Sequence, residues 1–184
     1  MDHYIEIRLL PDPEFPDTVL MNALFAKFHR ALVEVGQGEI GVSFPKAQKK
    51  MGDVLRIHGN QQALQRLMSL GWLKGLRDYA EVSALLPTPR QCRYKTVKRV
   101  QPKSSVGRLY RRSVRKGWVT TEEASQKVST SRPEKVDLPF VQLKSHSTGE
   151  NFRLFIQQGE PGDSPEKGQF SSYGLSSVAT VPWF

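Results

Sequence analysis

Residues 4–36 read YIEIRLLPDPEFPDTVLMNALFAKFHRALVEVG, and two periodicities within them decide the fold. From Tyr4 to Leu10 apolar residues alternate, with Ile5, Ile7 and Leu9 on one face, as in a half-buried strand. Pro11, Pro13 and Pro16 then force a turn, and Asp17 is expected as the N-cap of the next element. From Leu20 the period becomes helical. Leu24, Phe28, Ala31 and Val35 recur, Met21, Phe25 and Leu32 widen the stripe, and Gly36 is expected to end the helix.

The same alternation of strand and helix continues downstream. Ile40, Val42 and Phe44 alternate as a second strand stopped by Pro45, and a third is expected at Val54 to His58. Asn60 suits the N-cap of a helix carrying Leu64, Leu67, Met68 and Leu70 and closed by Gly71. A fourth strand is expected from Tyr79 to Leu85, and Pro87 and Pro89 mark a boundary. Strand, helix, strand, strand, helix, strand is the ferredoxin-like order. The third strand carries no aromatic residue, which argues against base stacking on this sheet. The expected class is α+β: a ferredoxin-like domain over residues 1–88, then an α+β domain over 89–184 with an arginine-rich helix, a hairpin and a tail.

Charge distribution points to the partner. The chain of 184 residues carries a formal net charge of +9. Arg90 to Lys116 holds eleven Lys or Arg and no Asp or Glu, so the remainder sums to 9 − 11 = −2. Basicity confined to one segment is an electrostatic footprint for a polyanion. Within it Arg108, Arg111, Arg112, Arg115 and Lys116 fall at i, i+3, i+4, i+7 and i+8. On a helix they span an arc of roughly 140° at about 100° per residue. Ser104 or Ser105 can start this helix and Gly117 can stop it; Thr120 and Glu123 form a capping box for a second short helix reaching about Val128. Like charges at i+4 repel, so a bound anion should offset the cost. A duplex groove with two phosphate walls fits such a stripe. An anionic membrane fits less well, because Leu109, Tyr110, Ser113 and Val114 on the other face are too mixed to enter lipid. Upstream, Arg99 and Gln101 lie two apart in an extended segment, where both can reach one groove.

Strands are expected at Phe140 to Lys144 and Asn151 to Gln157, a polar loop at Glu160 to Gln169, and a tail tied to the body by Val181-Pro182-Trp183-Phe184. The single cysteine, Cys92, and the absence of a secretory leader suit a reducing cytoplasm. No residues have metal-ligand spacing, and neither a P-loop nor a Gly-x-Ser-x-Gly elbow occurs. No metal or small-molecule cofactor is expected. A nuclease of this composition would use the RNA's own 2′-hydroxyl as nucleophile. His29, at the edge of the apolar stripe, is its candidate base, although the helical wheel alone does not separate a catalytic histidine from a packed one. His3 and His58 fall on strands, and His146 falls in the hairpin turn.

Several stretches in order carry a family resemblance. They are Met1-Asp2-His3-Tyr4, Arg8-Leu9 with Pro11-Asp12-Pro13-Glu14-Phe15-Pro16, Ile40-Gly41-Val42-Ser43-Phe44-Pro45 and Arg99-Val100-Gln101. The arginine-rich segment, Ser147-Thr148-Gly149, Asn151-Phe152-Arg153-Leu154-Phe155-Ile156, Tyr173-Gly174-Leu175-Ser176 and the closing Val181-Pro182-Trp183-Phe184 complete them. On these the chain resembles the type I-F CRISPR RNA-processing endoribonucleases. The resemblance implies cleavage of the CRISPR repeat hairpin at the 3′ base of its stem, with the basic helix in the major groove. It implies retention of the mature guide RNA as a subunit of the surveillance complex. It also implies catalytic roles for His29, Ser145 and Tyr173, an RNA-holding Ser147, a Phe152 stacked on the stem base, and base reading by Arg99 and Gln101. Arg108, Arg112 and Arg115 match basic positions, while Lys116 stands where the pattern has arginine and so lacks the bidentate fork. Two rival readings stand beside it: a hairpin-binding protein that does not cut, and a DNA regulator using the basic helix and its successor as a helix-turn-helix.

Overall fold

A computed structural model describes residues 1–102, 113–118, 120, 136–145 and 147–184. The chain is α+β and divides into two compact units, residues 1–100 with 138–184, and residues 101–137.

The first unit begins with β1 (His3–Leu9), α1 (Asp17–Val35), β2 (Gly41–Ser43), β3 (Val54–Gly59), α2 (Gln61–Ser69) and β4 (Ala80–Val82). The antiparallel sheet runs β2-β3-β1-β4, and β5 (Leu86–Pro87) also pairs with β1. Ile5, Ile7 and Leu9 are at most 3% exposed, and Leu20, Leu24, Phe25, Phe28 and Leu32 of α1 join them in the core. Each such burial stabilises the fold by roughly 1.5–3 kcal/mol. The other face of β3 is closed by the chain's last residue. Arg56 Nη1 donates to Phe184 O at 2.8 Å, its guanidinium lies 4.1 Å from the Phe184 ring centroid, and its Nη2 pairs with Glu6 at 2.9 Å.

Local expectations differ from the structure in two places. Asp17 is not the N-cap: Pro16 holds that position, no side chain caps the helix, and Asp17 is the acidic residue of the first turn. Asp12 instead turns the loop, its Oδ1 accepting from Glu14 N at 2.9 Å and Phe15 N at 2.8 Å. The fourth strand is only Ala80–Val82 and follows a 3-10 turn, Arg77–Tyr79. It stops because Glu6 N donates to Ser83 Oγ at 2.9 Å, so a hydroxyl replaces the next ladder carbonyl.

The second sheet of this unit runs β7-β8-β6-β9, from β6 (Arg93–Val100), β7 (Phe140–Lys144), β8 (Asn151–Gln158) and β9 (Thr180–Trp183). The first half of β6 pairs with β9 and the second half with β8. The two sheets share one core, to which the second contributes Val97, Val141, Leu143, Leu154 and Ile156. Helix α1 lies against β7, where Gln142 N donates to Asn22 Oδ1 at 2.8 Å. Gln158 ties the end of β8 to the first sheet: Phe44 N donates to its Oε1 and its Nε2 donates to Phe44 O, both at 2.9 Å.

In the second unit Ser113 to Trp118 form the end of a helical turn. Trp118 N donates to Ser113 O at 3.0 Å and Gly117 N to Val114 O at 2.9 Å, with Gly117 at φ 71°. These paired bonds form a Schellman cap, which makes Gly117 the stop. Arg115 and Lys116 are exposed, and Lys116 Nζ sits 4.4 Å from the Trp118 ring centroid. Arg108, Arg111, Arg112, the start at Ser104 or Ser105, and the second helix up to Val128 lie outside the described residues.

Candidate active site

His29 lies near the end of α1, half-buried, one position beyond the core residue Phe28. Its Nδ1 is 2.8 Å from the backbone carbonyl oxygen of Ser172. A carbonyl only accepts, so Nδ1 carries the hydrogen and donates it. In the neutral ring Nε2 is then bare and free to accept a proton. The imidazole is also clamped by its face. Tyr173 stacks on it at 4.0 Å with 11° between the planes, and Phe25 lies parallel to Tyr173 at 6.4 Å and 3°.

Gly174 makes this arrangement possible. It adopts φ 69°, and its N–H donates to Ser171 O at 2.8 Å. A Cβ there would stand 3.1 Å from Val42 Cγ1 and 3.3 Å from Phe28 Cε1. Val42 N donates to Gly174 O at 3.0 Å. The turn therefore lies flat on the core beneath α1, and its two preceding residues deliver a carbonyl and a ring to His29.

Across the cleft stands the turn between β7 and β8. Ser145 N donates to Glu150 O at 2.8 Å and Gly149 N donates to Ser145 O at 2.9 Å. Ser145 Oγ is 3.1 Å from Ser147 Oγ and accepts from Thr148 N at 3.3 Å. Gly149, at φ 69°, closes the turn. His146 lies outside the described residues.

These elements enclose a cleft of about 780 Å³. Helix α1 lines it with Ala26, His29 and Arg30, β6 with Arg99, and β8 with Phe152. Leu143, Lys144, Ser145, Ser147 and Gly149 form the facing wall, and Tyr173 a third side. Arg99 lies opposite Ile156 in the sheet and its guanidinium is 6.0 Å from the Phe152 ring centroid. The fold thus gathers His29, Arg99, Ser145, Ser147, Phe152 and Tyr173 into one place. Gln101 follows β6 in sequence and is exposed, and it belongs with Arg115 and Lys116 to the second unit. Arg30 and Lys144 were missed from sequence. The available signal was adjacency, since each is a cation next to a candidate residue.

The other described histidines are occupied differently. His3 Nδ1 lies 3.1 Å from Asp2 Oδ1, a bond that lowers the Asp2 pKa. His58 is fully buried with Nε2 2.8 Å from Ser43 Oγ, and burial brings its pKa down to about 3. A larger cleft of about 950 Å³, between residues 9–17 and 45–53, is lined by no histidine, serine or tyrosine. Size alone would select it, but it has no imidazole and no side-chain hydroxyl, the groups that the smaller cleft brings together.

Comparison with known proteins yields one consistent result. The model of the family described as CRISPR-associated protein (Cas_Csy4) matches residues 4–184. A relative from Escherichia coli (strain UTI89 / UPEC), called CRISPR-associated endonuclease Cas6/Csy4, is 53% identical over 184 residues, covering all of both chains. A relative of the same name from Pseudomonas aeruginosa (strain UCBPP-PA14) is 46% identical over 187 residues, again covering all of both.

Proposed function

The chain belongs to the Cas_Csy4 family of CRISPR-associated proteins, and from that premise we propose that the His29 cleft cuts RNA without a metal ion. The protein is a CRISPR RNA-processing endonuclease. The observation that carries the assignment of its site is the contact of His29 Nδ1 with the Ser172 carbonyl, which leaves Nε2 as a base in a cleft shared with two serine hydroxyls.

In this reading His29 Nε2 takes the proton of the 2′-hydroxyl at the cut, and Ser145 aligns that oxygen with the phosphorus. The 2′-oxygen bonds to phosphorus as the bond to the 5′-oxygen breaks. The upstream product ends in a 2′,3′-cyclic phosphate, and the leaving oxygen takes up a proton to become a 5′-hydroxyl. Tyr173 holds the imidazole plane, Ser147 steadies the RNA near the cut, and Phe152 offers a ring to the base of the stem. Arg99 and Gln101 read base edges beside it. The basic helix, including Arg108, Arg111, Arg112, Arg115 and Lys116, grips the major groove of the repeat hairpin. The product stays bound as guide RNA within the type I-F surveillance complex.

The test uses a repeat hairpin in EDTA. Wild-type protein is expected to shorten it and leave a 2′,3′-cyclic phosphate, and His29→Ala to bind with nearly unchanged affinity without cutting. A hairpin with a 2′-deoxy sugar before the cut is expected to bind normally and stay whole. Undiminished cleavage of that substrate would overturn the nucleophile and the role of His29 together. Binding without cleavage by the wild type would leave a hairpin-binding protein.

A further inference from the structure

The cleft carries more positive charge than its assigned residues explain. Arg30, Arg99 and Lys144 line it, and no Asp or Glu does. Arg99 has a role beside Phe152; Arg30 and Lys144 have none. Neither side chain makes a hydrogen bond or ion pair among the described residues. Several other cations of the unit are paired, among them Arg56 with Glu6, Lys46 with Asp53 and Arg66 with Glu39. Unpaired cations in a one-signed cleft focus their field on an anion entering it.

Their placement follows from two elements running side by side in one direction. Gln142 of β7 is bonded to Asn22 of α1, and residues further along each element meet again at the cleft. Arg30 is eight residues beyond Asn22, about 12 Å along a helix, and Lys144 is two beyond Gln142, about 7 Å along a strand. Arg30 and Lys144 thus line the cleft from two different elements, α1 and β7, each next in sequence to a residue given to the reaction, His29 and Ser145.

We infer that Arg30 and Lys144 form a cationic clamp on the phosphodiester being cut, each holding one of its non-bridging oxygens. The inference rests on the endonuclease reading of this cleft. Attack by the 2′-oxygen concentrates negative charge on those two oxygens. The proton that His29 takes leaves its positive charge beside the 2′-oxygen, and the two hydroxyls are neutral, whereas cations placed at the non-bridging oxygens act most strongly as the charge develops there.

Two uncleavable hairpins test the clamp, both with a 2′-deoxy sugar before the cut. One has an ordinary phosphate at the cut and the other an uncharged methylphosphonate. The wild type is expected to prefer the phosphate by about tenfold or more, as for charge-assisted hydrogen bonds. The double variant Arg30→Gln, Lys144→Gln is expected to lose that preference while binding the methylphosphonate RNA as the wild type does. On cleavable RNA at saturating protein, its single-turnover rate is expected to fall about 100-fold. Arg30→Lys and Lys144→Arg, which keep the charges, are expected to restore most of it. A phosphate preference undiminished in the double variant overturns the clamp, and so does an equal loss of affinity for both hairpins. A wild type that leaves 2′-hydroxyl RNA uncut overturns the endonuclease reading itself, and the clamp with it.

Discussion

His58 and His29 are the same residue type in one unit with opposite surroundings. His58 is fully buried, Nε2 lies 2.8 Å from Ser43 Oγ, and Nδ1 has no hydrogen-bond partner. Burial, then the Arg56 charge, holds its pKa near 3 rather than 6.5. Folding therefore keeps it neutral where the unfolded chain protonates. Its contribution to stability is complete above the unfolded pKa of 6.5 and declines as pH falls toward 3. Between pH 7 and pH 5 the linked loss is about 2 kcal/mol. Urea unfolding at the two pH values measures it: His58→Gln should lose stability less steeply than the wild type. Equal pH slopes would mean that His58 titrates normally. His29 instead borders an open cleft, with one ring nitrogen committed to a carbonyl and the other left to chemistry.

At the scale of elements, strength of local signal decided what could be read. Helix α2 shows its cap in the sequence, and Asn60 Oδ1 accepts from Ala63 N at 2.7 Å as expected. Strand β6 gives no such signal. Its eight residues include only one buried side chain, Val97, so hydrophobic alternation is absent. Pairing with β8 and β9 makes it a strand, and those partners are more than fifty residues away. Strand β9 is short and contains Pro182, which lacks a ladder donor, so in the sequence it too shows only as a tied-down tail. Of the helix that basic residues at helical spacing predict, only the end is described, and there Arg115 and Lys116 are exposed. If they contact phosphate, replacing both with Ala should reduce the slope of log affinity against log salt by about 1–2 for a hairpin. A titration series across salt concentrations checks this, and an unchanged slope would remove both from the phosphate contacts.

At the scale of the whole molecule, a few side chains join distant segments. Gln158 is one: its amide satisfies both the N–H and the carbonyl of Phe44, a fully buried residue 114 positions away. Gln158→Ala strands both groups and should cost about 2–4 kcal/mol in urea unfolding, because each unpaired buried group bears its own desolvation penalty. A loss below about 0.5 kcal/mol would mean that water replaces the amide. By itself the sequence determined the α+β order of the first half, the helix stops at Gly36 and Gly117, the basic segment and, through matched motifs, His29 as a candidate. These rest on patterns that repeat within a few residues, where the helical and strand periods act directly. Only the tertiary structure decided that the Ser172 carbonyl, 143 positions from His29, sets the tautomer, and that Arg30 and Lys144 face one cleft. Such pairings depend on how Gly174 lies against Val42 and Phe28 and how α1 runs beside β7. No local period encodes them, because they arise only when distant apolar surfaces pack together.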